Sequence, residues 1–303
     1  LFLSGYGQTR SHPPFVSRDG DDVYKYLLFA PGMMGPNALL VPNVAHGRVG
    51  ETLDLELGVD GHSMTGDHAV NSYFNLYYPI VSGVVAIQLF AYPTETFRMS
   101  NAVRDQRQIY YDDTGVITQT GDLYFLTELQ ILKNRKWFPD MAFTYAYKTT
   151  TGDVKHARYT HSPAHYFHIS LGKEYSLNSF VRKMGFYGMG GLFVWQTNRE
   201  EVSQDEGPLF GFENKLWVKH FCLTQSISGY HAYEETGENK PVIYKVKMGR
   251  EGKKLDVGIE YQKGLRNYYY NTLRLSIVFH FPVCFKIVPN SDKGSKYIVC
   301  RPQ

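Results

Sequence analysis

Residues 268–281 read YYYNTLRLSIVFHF. Leu273, Leu275, Ile277, Phe279 and Phe281 share one parity, and Thr272, Arg274, Ser276 and His280 the other, so an extended chain has one apolar and one largely polar face. Tyrosines close one end and a phenylalanine the other. About 10 residues lie between them, the length a tilted strand needs to cross a hydrocarbon core. A soluble sandwich could use one such strand. A chain that repeats the pattern predicts an all-β fold: a transmembrane antiparallel up-and-down barrel, with this as its last strand.

The composition agrees. Of 303 residues, 24 are Tyr and 19 Phe, yet mean hydropathy is negative and no apolar run approaches the roughly 18 residues of a membrane helix. Alternate residues facing lipid reconcile the two. A net charge of +3 without any Arg/Lys-rich run gives no reason to expect nucleic acid as a partner. The opening LFLSG is too short for a signal h-region, so the chain reads as the mature form of an exported protein.

Residues 1–50 are rich in Pro and Gly and read as an irregular N-terminal arm on the periplasmic side, either a lumen plug, a cover for the mouth or a docking arm. Its apolar bursts, Leu27 to Phe29 and Leu39 to Val41, favour contact with its own barrel. From Glu51, Leu53, Leu55, Leu57 and Val59 oppose Asp54, Glu56 and Asp60. About twelve such strands follow to Phe281, an even number typical of bacterial barrels. Long polar links alternate with short ones: residues 95–120 read as a solvated loop, and further excursions lie at 149–163 and 197–208. Short periplasmic turns and longer outer loops are the expected asymmetry, which puts both termini in the periplasm. Residues 282–303 form a C-terminal tail resembling a small hairpin. Within it Cys284 and Cys300 flank a 15-residue loop, and either a disulfide or two free thiols is open.

The stretches APGMMGPNALLVPN, LELGVDGHSMTGD, YFNLYYPIV, GDLYFLTELQILK, HARYTHSPAHYFHISLGKEY, YGMGGLFVWQTN and YQKGLRNYYYNTLRLSIVFHF resemble the outer-membrane β-barrel proteins of Bacteroidota-type bacteria, over most of residues 30–281. The resemblance implies a Gram-negative outer-membrane barrel with lipid and lipopolysaccharide around it; the irregular arm and the extra tail are what point to other outer-membrane or periplasmic proteins as partners. It supplies no catalytic residue and no cofactor.

Catalysis has one candidate, His168-Ile169-Ser170. Outer-membrane phospholipases place a His and a Ser two apart on one strand, but facing lipid. Here Phe167, Ile169 and Leu171 take that face, so the reading is not an enzyme. His156, His161, His165 and His168 do not space as a metal site and read as surface or interface residues; no metal is expected. The inward parity carries Asp54, Glu56, Asp122, Glu128, Lys148, Lys245, Lys247, Asp256, Glu260 and Arg274. Opposite signs on neighbouring strands predict cross-strand pairs filling a narrow lumen. Two functions fit such a lumen: a structural or accessory subunit of an outer-membrane complex, or a porin-like small-solute diffusion channel. A lipid-modifying enzyme fits less well.

Overall fold

The computed structural model describes residues 27–109, 115–177, 179–199, 202–219, 221–234, 237–283, 285–288 and 296–299. In chain order the strands are β1 (Thr52–Met64), β2 (Asp67–Val81), β3 (Val85–Ala91), β4 (Glu95–Met99), β5 (Ile117–Gln119), β6 (Leu123–Leu132) and β7 (Asp140–Lys148). They continue as β8 (Ala164–Ser176), β9 (Val181–Gln196), β10 (Gln204–Val218), β11 (Phe221–Tyr230), β12 (Val242–Arg250), β13 (Leu255–Arg266) and β14 (Asn271–Pro282). A separate hairpin, β15 (Phe285–Val288) with β16 (Lys296–Val299), ends the described chain. Cys284 and Cys300 lie outside the described residues.

Twelve of these strands close an antiparallel barrel. The seam is β1 against β14, from Thr52 opposite Pro282 to Ser63 opposite Asn271. The strands form because each alternates: in β14, Leu273, Leu275 and Ile277 are exposed while Thr272 and Ser276 are buried. The same outward belt recurs round the wall, with Leu57, Phe125, Ile169, Phe212, Ile259 and Leu275 each 39 to 55% exposed. A continuous apolar belt of this extent is a surface made for hydrocarbon rather than water. No helix among the described residues is long and apolar enough to cross a membrane.

One mouth carries the short turns, at residues 82–84, 133–139, 177–180, 219–220 and 251–254; the other carries the long links. Residues 95–120, expected as a solvated loop, differ in their described part. β4 continues the line of β3 alongside β2 and β5 pairs with β4, heightening the wall. Helix α1 (Asn101–Gln106), N-capped by the Ser100 hydroxyl, then folds inward. Phe97 is buried beside it, and Glu95 and Arg107 are buried against opposite charges, Glu95 on Arg158 and Arg107 on Asp67, so mixed charge here marks a packed mouth.

Candidate functional site

Eight strands leave an interior that wall side chains just fill, and twelve leave room to spare. Residues 27–50 occupy it from mouth to mouth. At the long-link mouth, Asn198 Nδ2 donates to Leu27 O (2.9 Å), Trp195 Nε1 to Phe29 O (3.0 Å), Gly32 N to Glu238 O (3.0 Å) and Gly35 N to Ala157 O (2.7 Å). Midway, Tyr230 Oη donates to Leu39 O (3.0 Å) and Lys245 Nζ to Asn43 Oδ1 (2.5 Å). At the short-turn mouth, Arg48 pairs with Asp140, Val49 N donates to Gln130 Oε1 (2.8 Å), and Gly50 N donates to Tyr77 Oη (2.8 Å). Tyr77 Oη in turn donates to Glu128 Oε2 (2.9 Å). The arm, expected on the side of the short turns, instead begins its described course at the opposite mouth. In a barrel whose wall already satisfies its own backbone, side chains supply most of these contacts.

The long-link half of the lumen is aromatic. Leu39, Val41 and Val44 pack on Tyr124, Tyr166, Phe193, Trp195 and Tyr230, with Phe193 and Tyr230 stacked at 4.4 Å and Phe90 and Tyr124 at 4.4 Å. Inward charges paired across strands were expected, and this aromatic half was not. The difference has a physical reason: apolar residues on the arm need apolar residues on the wall.

A buried charge cluster seals that mouth. Asp67 Oδ2 accepts from Arg107 Nη1 (2.9 Å), Arg158 Nη1 (2.5 Å) and Tyr270 Oη (2.5 Å), while Arg158 Nη2 and Nε both reach Glu95 Oε1. The Arg158 guanidinium lies 4.5 Å from the centre of the Phe97 ring. Burial works against its charge, but Glu95 and then Tyr270 and Asp67 hold it ionised well beyond the ordinary range. A Cβ on Gly35 would meet Arg158 O at 2.9 Å, so the arm passes directly against this clamp.

Of the ten inward charges expected from the sequence, Asp122 and Lys148 form a buried pair at 2.7 Å beside the same mouth. Lys245 and Glu260 approach to 3.7 Å across β12 and β13. His280 bridges Asp54 (2.7 Å) and Asp256 (3.1 Å) across three strands. Arg274 is held by Asp60 at 2.6 Å, with its guanidinium 3.9 Å from the Tyr73 ring centre. Glu56 accepts from Asn75 (3.5 Å), Glu128 takes the Tyr77 hydroxyl, and Lys247 lines a cavity. These groups are spread along the wall rather than gathered into one site. Of the partners absent from that set, Asp60 shares the inward parity of Asp54 and Glu56 in β1, whereas Asp67, Glu95, Arg107 and Arg158 sit at strand ends and in links where alternation gives no inward or outward sign.

His168 and Ser170 are buried on the inward face. His156 is buried as well, a correction to its reading as a surface residue, because its link folds back over the mouth; His161 is exposed. Among the described residues, no three metal-ligating side chains come together.

No family model and no curated protein sequence matches the chain. Among solved structures it is similar to the transport unit of the autotransporter AIDA-I from Escherichia coli, with 11% identity over 84% of this chain and 99% of that one and a TM-score of 0.44. It is similar also to the translocator domain of the autotransporter NalP from Neisseria meningitidis, at 8%, 76%, 88% and 0.40. The outer membrane protein Omp33 from Acinetobacter baumannii follows at 8%, 77%, 100% and 0.38. The barrel itself rests on its own ladder and closing seam.

Proposed function

We propose that this chain is a closed bacterial outer-membrane barrel, of the Bacteroidota type, acting as a structural or accessory subunit rather than an open pore. The observation that carries the reading is the arm: residues 27–50 fill the lumen along its whole height. In the same reading the short turns face the periplasm and the long links the outside. The C-terminal tail then lies in the periplasm, and the arm enters the lumen at Leu27 from the outer mouth. The sequence-based expectation put the arm on the periplasmic side; in this reading its described course starts from the other. Companion outer-membrane or periplasmic proteins would meet the tail and the turns, and no catalytic role is assigned.

A second reading, the narrow channel, is favoured by one feature. Cavities of about 230, 210 and 270 Å³ follow one another along the arm, sharing Val44. Planar-bilayer recordings decide between them. The full chain should be silent, and deletion of residues 1–45 should give steady steps; ion-selective steps from the full chain would establish the channel instead. Protease-cleavable tags at the two ends test the orientation separately. The N-terminal tag should be cut on intact cells and the C-terminal tag only after permeabilisation.

A further inference from the structure

The rim at the short-turn mouth is basic, and its acids are already spent. Glu51 pairs with Lys133, Asp140 with Arg48, Glu174 with Lys183 and Glu251 with Lys215. Arg135, Arg182, Arg250, Lys253 and Lys254 are exposed and make no ion pair among the described residues.

Their placement follows from strand parity. In β12 the outward column runs through Met248 and ends at Arg250; in β9 it runs through Phe186 and ends at Arg182. Two residues along a strand is roughly 7 Å. Each guanidinium therefore stands one step beyond the last lipid-facing side chain, at headgroup depth.

Exposed aromatic tips accompany them. Trp137 is 83% exposed, Phe180 68% and Phe138 65%, values at home in an interface and costly in open water. Lys136 lies 5.2 Å from the Trp137 ring centre and Lys219 5.5 Å from that of Phe180, so apolar and cationic groups alternate along one rim. Among the described residues, the long-link rim mixes the two signs: exposed Arg98, Lys155, Arg199, Lys263 and Arg266 are interspersed with Asp105, Asp153, Glu206 and Glu234.

We infer that the short-turn rim binds the phosphates of anionic glycerophospholipids, with Arg135, Arg182 and Arg250 as the anchoring cations. Glycerophospholipid, rather than lipopolysaccharide, follows from the proposed orientation, in which this rim meets the periplasmic leaflet. A guanidinium donates two parallel hydrogen bonds to a phosphate, and unpaired basic groups near a charged membrane attract it over about one Debye length.

The test uses the full chain in symmetric vesicles, with lipid selectivity read from quenching of Trp137 by brominated lipids. Trp195 is fully buried in the lumen and supplies a constant background, and Trp217, which lies at the same rim, is replaced by Phe in every protein compared. Brominated phosphatidylglycerol should be enriched at the protein over brominated phosphatidylcholine by about fivefold at low salt, and the preference should fall as salt rises. The triple variant Arg135→Gln, Arg182→Gln, Arg250→Gln should bring the ratio to one while folding normally. A control variant, Lys263→Gln with Arg266→Gln at the other rim, should leave it unchanged. Equal quenching by both lipids in the wild type overturns the inference. So does a preference that survives in the triple variant, or selectivity confined to lipid A vesicles. Because the vesicles are symmetric, lipid choice is read independently of which way the barrel points, and a failure of the tag assay leaves this result interpretable.

Discussion

Replacing Arg158 with Met keeps most of the side-chain volume and removes the charge. Arg158 and Glu95 are both fully buried, and Arg158 reaches Glu95 through two nitrogens. Asp67 would keep Arg107 and Tyr270. Glu95 would lose its ion-pair partner with water excluded, and breaking a buried pair in this way costs about 3–5 kcal/mol. The double variant Arg158→Met, Glu95→Leu removes the stranded charge and should recover most of that loss, because replacing both partners of a buried pair with apolar groups of similar size is close to neutral. Urea titration of the barrel in detergent micelles, following the gel shift of the folded form, measures all four corners of the cycle. The coupling between the two sites should be at least about 2 kcal/mol. A single variant that loses less than about 1 kcal/mol, or two losses that simply add, would mean that the mouth is held by aromatic packing and not by this clamp.

The arm has a second narrow passage. A Cβ on Gly172 would stand 1.9 Å from His46 O, so Gly172→Val should push residues 45–48 off the wall, at about 1–3 kcal/mol. Tryptic cleavage at Arg48 should then rise several-fold, and unchanged cleavage would show that the wall gives way instead. In a background with Cys284 and Cys300 replaced by Ser, Cys222, which lines the cavity beside His46, should react with maleimide slowly in the wild type and faster in Gly172→Val. Removing the Trp195 side chain with Ala deletes a fully buried indole and its bond to Phe29 O, and should cost about 3–5 kcal/mol by the same titration. Burial raises the Glu251 carboxyl, but the Lys215 ammonium at 2.6 Å more than offsets this and holds it below the ordinary range. The stability it contributes is therefore present above the unfolded pKa and is lost as pH falls through the folded one. Hydrogen exchange at residues 251–254 should quicken below about pH 4 in the wild type and lose that dependence in Glu251→Gln.

Strand β14 shows how much of this could be read in advance. Its parity predicted both the lipid face of Leu275 and the lumen face of Arg274, because a barrel wall has two environments and a strand has two faces. The alternation of short and long links gave the two mouths for the same reason. Residues 27–50 were legible only as apolar bursts among prolines and glycines: a segment without a period carries no sign of which surface it meets. The mouth cluster was harder still. Glu95, Arg107 and Arg158 look like solvated loop charges because local sequence cannot show that links 63 residues apart will bury one another. Tyr166, Phe193 and Trp195 did leave a trace, since β8 and β9 carry aromatic residues on the inward parity, as a wall does when its interior is dry.

The threaded arm also makes the count of crossings odd. Twelve strands return a chain to the side it started from, and a thirteenth passage, made inside the ring, does not. Arm and first strand turn at Gly50 like the two legs of a needle's loop, with residues 27–50 threaded inside the ring that β1 and β14 close. A bulky folded body fused ahead of Leu27 could not follow that path, whereas an extended one could.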